Sequence, residues 1–315
     1  MTRDGHVRSG AKDLPGTVAR WWLWPAPLAR IAWLRAVLYA FTIWGLFVLT
    51  HDVIGHGHSP DLYQPTLIGR VLPFPDPTPA NGPIMQWVLV ATCLATPVLM
   101  ALPQRAAQWA GRVTGWTVGL VFLAWMENSQ GFAYVSHDHM ALVLALLILP
   151  TVPPAGFGSQ ERSEAAGWVL RCVQVAVVMT YFGSALCKIV ATGGLFAWPN
   201  GTVFTWALMR RGASMLNWAL EYPALLRVGQ WILFLVELAS PVVLWLRGRW
   251  LYAAVLLFCC FHLMTWLALG IHFLPTVVCW LAFLPLERIL PAARARRAGN
   301  AGAAQDAQAS VAEVR

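Results

Sequence analysis

The chain has 315 residues, of which 58% are hydrophobic and only 11% are charged, whereas soluble domains are about 25% charged. This composition excludes a soluble enzyme and a disordered or collagen-like chain. The net charge of +8 would suggest a nucleic-acid partner in a soluble protein, but basic residues of membrane proteins concentrate in cytoplasmic segments. The sequence therefore predicts an integral membrane protein that associates with the lipid bilayer and with no nucleic acid.

Eight apolar stretches predict membrane-spanning helices, since a span takes roughly 17–25 mostly apolar residues. They are Ala36–Thr50, Gln86–Ala101, Val113–Met126, Met140–Val152, Trp168–Ala191, Val228–Leu246, Trp250–Leu269 and Phe273–Leu286. Residues 270–272 alone separate the last two, which predicts a tight helical hairpin. The predicted fold is an all-α integral membrane protein with about eight transmembrane helices in one bundle.

The distribution of basic residues predicts the topology of this bundle. With eight spans, seventeen of the 22 Lys and Arg fall on one side of the membrane and four on the other. The richer side is expected to be cytoplasmic, which places both termini there. The chain is then divided into a cytoplasmic N-terminal tail at 1–28, a transmembrane domain at 29–290 and a disordered cytoplasmic tail at 291–315. We expect a multi-pass protein of the cell inner membrane or plasma membrane.

Three of the predicted spans carry polar residues at helical spacing, which places each set on one helix face. The sets are Gln174, Tyr181, Ser184 and Lys188 in span five, Gln230, Glu237, Ser240 and Arg247 in span six, and His262 and Thr265 in span seven. Ionisable groups are costly in hydrocarbon, so these faces are expected to point into the bundle. They are candidates for a functional site, or for hydrogen bonding that holds the helices together.

The depths of these groups in the membrane narrow the candidates. At about 1.5 Å per residue, Lys188 lies roughly 25 Å along its helix from the cytoplasmic end, and His262 lies roughly 20 Å along its own. His139 lies at the outer mouth of span four. We therefore expect Lys188, His139 and His262 to line one cavity in the outer half of the bundle. Glu237, about 15 Å from Arg247, is expected nearer the middle.

Other interpretations of the same residues remain open. Lys188 is close enough to a helix end to extend its amine to the membrane surface. His262 and Glu237 can be hydrogen-bonded interior groups without a chemical role. The histidines at 51, 56 and 58 and the His-Asp-His sequence at 137–139 have spacings too general to indicate a metal site.

Three stretches resemble the membrane domain of the vitamin K-dependent gamma-glutamyl carboxylases and of their bacterial relatives, the HTTM (horizontally transferred transmembrane) proteins. They are YFGSALCKI at 181–189, HDHMALVLALL at 137–147 and FHLMTWLALGIHFLP at 261–275. The family's lysine falls on Lys188, and its histidines fall on His139 and His262. Trp198 and Gly201 resemble the family's Trp-x-x-Gly, several residues farther from the lysine. The chain is similar to bacterial members that lack the large lumenal domain.

The resemblance implies a carboxylase-like membrane enzyme. In that family a neutral lysine deprotonates reduced vitamin K, O2 then adds, and the strongly basic product activates a glutamate that captures CO2. Lys188 would be the base, since burial favours a neutral amine, and His139 would stabilise the developing anion. The residues implied for binding reduced vitamin K or another naphthoquinone are Tyr181, Ser184, His262 and Trp198. No metal is implied.

Two further functions remain open. One is a non-enzymatic membrane helper or assembly protein of the HTTM family, in which the polar faces hold helices together. The other is a small-solute carrier lined by the same faces. In either enzyme or helper, an unidentified protein partner or substrate on the outer side is expected.

Overall fold

A computed structural model describes residues 16–99, 104–133 and 137–289 of the chain. Within these residues the fold is almost entirely helical. The one sheet in this part of the chain pairs β1 (Ala26–Pro27) with β2 (Arg162–Ser163), antiparallel, two residues each. The predicted disordered tail at 291–315 and the first fifteen residues of the N-terminal tail lie outside the described ranges.

Twelve α-helices occur in the described residues. They are α1 (Gly16–Trp22), α2 (Leu28–Val48), α3 (Val53–His56), α4 (Leu67–Val71), α5 (Asn81–Leu99), α6 (Gln104–Gln130), α7 (Met140–Ile148), α8 (Glu164–Thr192), α9 (Thr202–Arg211), α10 (Pro223–Ala239), α11 (Gly248–Leu269) and α12 (Leu274–Cys279). Short 3₁₀ segments lie at Pro60–Leu62, His137–His139, Leu149–Thr151, Ser214–Glu221, Ser240–Trp245, Trp280–Phe283 and Leu286–Arg288.

Five helical segments are long and apolar enough to cross a membrane, so the chain is an all-α, multi-pass membrane protein. They are Leu28–Val48, Asn81–Leu99, Glu164–Thr192, Pro223–Trp245 and Gly248–Leu269. Two shorter apolar segments, His137–Thr151 and Leu274–Phe283, coincide with predicted spans four and eight. Predicted span three lies in α6, which is not among the five. The count of eight crossings and the cytoplasmic position of both termini stay predictions.

Sequence signals account for where the long helices begin and end. α10 starts at Pro223, which suits the first turn because its missing N–H would have no helical partner there. α11 ends before Gly270, whose positive φ of 67° allows the left-handed conformation that terminates a helix. α12 starts at Leu274, so the break between the last two predicted spans falls where the sequence indicates.

The bundle is packed around large side chains that are completely enclosed, among them Trp125, Trp280 and Phe234. Trp125 Nε1 donates to Thr50 Oγ1 at 2.8 Å, so the indole N–H is satisfied inside the core. α8 lies at the centre of the arrangement, where it packs against α7, α10, α12 and the 240–245 segment. α8 thereby contacts α10, which carries another of the predicted polar faces, and Tyr181 of α8 reaches His262 of α11.

Glycines of α6 allow close approach of the segment that contains α7. A methyl group at Gly115 would lie 2.9 Å from Pro150 Cγ, and one at Gly119 would lie 2.9 Å from the carbonyl oxygen of Leu146. Contacts this short do not fit a side chain without backbone movement. The three glycines at 111, 115 and 119 therefore form one face that only hydrogen atoms can occupy at this helix separation.

Candidate functional site

Lys188 of α8 is paired with Glu237 of α10. Its Nζ donates a hydrogen bond to Glu237 Oε2, and the two side chains are only 19% and 8% exposed. The amine also lies 4.4 Å from the centre of the Trp198 ring, which adds a cation–π contact. The amine of Lys188 is therefore held inside the bundle by two partners.

The loop after α8 brings Trp198 over the amine. Gly193, with a φ of 71°, ends α8 in the left-handed conformation, and the chain then reverses direction. Gln230 of α10 fixes this loop: its Nε2 donates to the Trp198 carbonyl at 2.5 Å and its Oε1 accepts from Gly201 N–H at 3.1 Å. One buried amide therefore sets the position of the ring that covers Lys188.

A second polar group lies two helical turns from Lys188 on the same face of α8. Tyr181 Oη and His262 Nε2 are 2.6 Å apart, and Trp280 Nε1 donates to Tyr181 Oη at 3.0 Å. Because the tyrosine oxygen accepts from Trp280, its own proton can be donated to His262 Nε2, which places the histidine proton on Nδ1. That Nδ1 is buried and has no partner among the described residues.

A cavity of about 530 Å³ joins these groups. Its polar lining includes Tyr181, Ser184, Lys188, Trp198, Glu237 and His262. The rest of its wall is mostly apolar side chains of α9, α10 and α11, such as Phe204, Leu233 and Phe261. Apolar walls with a few converging polar groups are typical of small-molecule sites of this size.

Lys188 also borders a second cavity, of about 770 Å³, between α7 and α8. The two cavities share His137, Thr180, Ser184, Lys188 and Trp198. Lys188 and Ser184 thus form part of the wall between two spaces inside the bundle, and a ligand in either one would meet the same amine.

The structure brings together five of the six predicted site residues: Lys188, Tyr181, Ser184, His262 and Trp198 all line the first cavity. His139 is not among the described residues that line either cavity; it is buried, with Nδ1 3.1 Å from Asp138 Oδ1. Residues 137–139 form a 3₁₀ turn, in which successive side chains point about 120° apart. His137 lines both cavities, and the catalytic role of His139 stays a prediction.

Glu237 is a cavity residue that is not among the six predicted site residues. The sequence predicts it nearer the middle of the membrane, as a structural partner, and in the structure it pairs with Lys188 of the neighbouring α8. Two other members of the polar faces hold elements together: Gln174 Nε2 donates to the Ala282 carbonyl at 2.9 Å, and Ser240 Oγ donates to the Val178 carbonyl at 3.3 Å. The polar faces therefore include groups that contact the cavity and groups that join helices.

Among the described residues no group of three or more His, Cys, Asp or Glu side chains is placed to hold a metal ion. The cavity wall contains an amine, a carboxylate, a phenol and an imidazole. These groups can form hydrogen bonds with hydroxyl groups and can transfer protons. No protein-family model, curated protein or solved structure matches this chain.

Proposed function

We propose that the chain is a carboxylase-like membrane enzyme that binds a reduced, lipid-soluble quinone in the 530 Å³ cavity and removes a proton from its hydroxyl group. The observation that carries the proposal is the Lys188–Glu237 ion pair in the wall of a mostly apolar cavity inside a membrane-spanning bundle. Buried ionisable groups in a membrane protein generally mark a functional site. A reduced naphthoquinone would supply the hydroxyl group and, with O2 and CO2, the chemistry that the family resemblance implies.

The residues of the cavity fit such a ligand. A flat aromatic ring with an apolar tail matches walls made of Phe204, Leu233 and Phe261. Its hydroxyl groups need hydrogen-bonding partners at one end, and Lys188, Glu237 and His262 offer them. A charged substrate would lack a counter-charge here, because Lys188 and Glu237 already neutralise each other.

The ion pair can move a proton without changing the net charge of the cavity. While Lys188 holds its proton it is not a base. The Glu237 carboxylate can take that proton through the hydrogen bond that already joins the two groups, which leaves a neutral amine facing the ligand. Alternatively, the carboxylate accepts the ligand proton directly, and Lys188 then stabilises the resulting oxyanion.

His262 is the group that we assign to stabilising the anion. It lines the cavity, and its Nδ1 has no partner in the described part of the chain. Trp280 donates a hydrogen bond to Tyr181, and Tyr181 donates one to His262. These two bonds polarise the Nδ1–H of His262, so the three groups act as one chain of donors. This proposal gives His262 the role that the resemblance assigned to His139.

The test is oxygen-dependent consumption of a reduced naphthoquinone by the purified protein in lipid. Wild-type protein should turn over the quinone, and Lys188→Arg should lose turnover while folding normally, because arginine keeps the charge but stays protonated. Glu237→Gln should lose turnover as well. Glu221→Gln, which alters an exposed carboxylate outside the cavity, is the matched control and should retain it.

Wild-type turnover no faster than that of Lys188→Arg would contradict the proposal. In that case the alternative function, a helper or assembly protein of the membrane, would account for the bundle, with the polar groups serving only to join helices.

A further inference from the structure

A basic cavity lies at the end of the bundle opposite Lys188. Five arginines line this arginine cavity, which has a volume of about 500 Å³: Arg20, Arg30, Arg171, Arg247 and Arg288. No acidic residue is among the described residues that line it. The cavity is surrounded by α1, the starts of α2, α8 and α11 and the segment that ends at Trp245. It therefore lies at one end of four segments long enough to cross a membrane.

Arg171 is already oriented inside this cavity. Its Nη1 donates to Gln174 Oε1 at 2.8 Å, and its Nε donates to the Trp21 carbonyl at 3.3 Å. Gln174 is only 5% exposed and is itself anchored on Ala282. The guanidinium carbon lies 4.6 Å from the centre of the Trp21 ring. These contacts leave Nη2 without a partner among the described residues, and a guanidinium held in place loses little entropy when it binds a ligand.

The positive charge of the arginine cavity is mostly unbalanced. Glu287 accepts two hydrogen bonds from Arg30, at 2.8 and 2.7 Å, and neutralises that residue. Arg20, Arg171 and Arg247 have no acidic partner in the described residues, whereas Arg288 is close enough to Glu287 to interact with it. Arg247 is also near enough to Arg171 to repel it. Three like charges converging on one concave space favour an anion between them.

The orientation of the Arg171 side chain also differs from that of basic residues that simply flank a span. Flanking arginines extend outward to the membrane surface, whereas Arg171 points between helices and lies against Trp21. Trp24 and Trp245 complete an aromatic wall around the guanidinium groups. Aromatic rings of this kind occupy the level of the lipid head groups.

We propose that the arginine cavity binds a phosphate group, supplied by the head group of an anionic phospholipid. Guanidinium groups match phosphate oxygens through paired N–H donors, and arginine is the residue best suited to such contacts. Basic pockets between spans at the membrane surface bind anionic lipid head groups in this way. Arg171 is seventeen residues, or about 25 Å, from Lys188 along α8, so the site is separate from the proposed quinone cavity.

The test is lipid retention measured by native mass spectrometry of the full chain. Purified protein is exchanged into detergent containing equal amounts of dioleoyl phosphatidylglycerol and dioleoyl phosphatidylcholine. We expect the wild type to retain phosphatidylglycerol preferentially, and Arg171→Gln to weaken that retention at least tenfold. Arg247→Gln removes an exposed side chain without a hydrogen-bond partner among the described residues. This variant should therefore fold normally and retain less phosphatidylglycerol than the wild type.

Arg249→Gln is the matched control. Arg249 lies in the first turn of α11, two residues from Arg247, but it does not line the cavity and stacks instead on Trp250. Its substitution should leave phosphatidylglycerol retention unchanged. Equal retention of the two lipids by the wild type would overturn the proposal, because it would show no preference for the anionic head group. An equal loss in Arg249→Gln and Arg247→Gln would also overturn it, because it would indicate attraction to positive charge in general and not a site in the arginine cavity.

A second arm identifies the source of the phosphate. Inorganic phosphate is added at constant ionic strength, with chloride as the reference anion. If millimolar phosphate leaves the bound phosphatidylglycerol in place, the ligand is a lipid head group. If phosphate displaces the lipid completely in the wild type, and the single substitution Arg171→Gln abolishes phosphate binding, the ligand of the site is free phosphate and not a lipid head group. If neither anion binds in preference to phosphatidylcholine or chloride, there is no phosphate site.

Discussion

Removal of one partner of the Lys188–Glu237 pair should destabilise the protein far more than removal of both. The side chains are 19% and 8% exposed, so a lone charge left behind would be largely shielded from water. Loss of one partner of a buried ion pair costs about 3–5 kcal/mol, whereas replacement of both by apolar residues of similar volume is often neutral. Lys188→Met, which isolates the less exposed carboxylate, should lie near the upper figure.

Glu237→Met should lie nearer about 3 kcal/mol. The amine that remains is more exposed than the carboxylate and keeps its contact with the Trp198 ring, 4.4 Å away. The double variant should be less destabilised than either single variant. Single costs of about 5 and about 3 kcal/mol with a double cost below about 3 kcal/mol give a coupling of at least about 5 kcal/mol, which is above the usual range of about 0.5–3 kcal/mol for residues in contact.

The assay is equilibrium unfolding of the four proteins in one detergent, followed by tryptophan fluorescence. Glu221→Met, at an exposed carboxylate, is the control and should stay within about 0.5 kcal/mol of the wild type. If the two single substitutions cost less than about 1 kcal/mol each and simply add in the double variant, the reasoning from a buried pair is refuted.

Three other results are expected. Reporter fusions at residues 20 and 300 should both report a cytoplasmic position, and opposite reports would mean an odd number of spans. Tyr181→Phe should cost about 1–3 kcal/mol of unfolding free energy, since it leaves two buried donors or acceptors without a partner; a change below about 0.5 kcal/mol would show that water replaces the hydroxyl. Burial opposes ionisation of Glu287, but its hydrogen bonds from Arg30 hold the pKa of Glu287 below its usual range. Its stabilising contribution should therefore be complete above its unfolded pKa of about 4.3 and be lost as the pH falls through the lowered value. Comparison of wild type with Glu287→Gln in pH-dependent unfolding checks this, and a difference that persists at pH 2 would contradict it.

The part of the site that lies on one helix could be predicted from the sequence. Tyr181, Ser184 and Lys188 are separated by three and four residues, so any α-helix places them on one face. The structure puts all three in the wall of the same cavity. Because their common position depends only on helical geometry, the helical spacing in the sequence was sufficient to predict it.

The partner of Lys188 could not be predicted by counting residues. The depth of Glu237 was calculated from Arg247 at about 1.5 Å per residue, but Ser240–Trp245 is a 3₁₀ segment with a rise of about 2.0 Å per residue. Six such residues carry Glu237 about 3 Å farther from Arg247. Pro241, at the start of this segment, was the only local sign that the helix changes its winding.

The position of His139 also depended on local detail. Residues 137 and 139 point about 200° apart in an α-helix and about 240° apart in a 3₁₀ turn, so with either winding the two side chains face different ways. Residue type does not indicate which of the two histidines lines the cavity, and in the structure it is His137.

The glycine face of α6 has a consequence for how the chain enters the membrane. α6 has 27 residues but is too polar to rank with the five apolar spans, and α7 has only nine. A segment of either kind partitions weakly into a bilayer by itself. The contact at Gly115 and Gly119 leaves no gap between α6 and the α7 segment, so the backbone of each is covered by the other. We expect the two to be inserted together as one helical hairpin, and a bulky residue at Gly119 to impair biogenesis before it alters the finished protein.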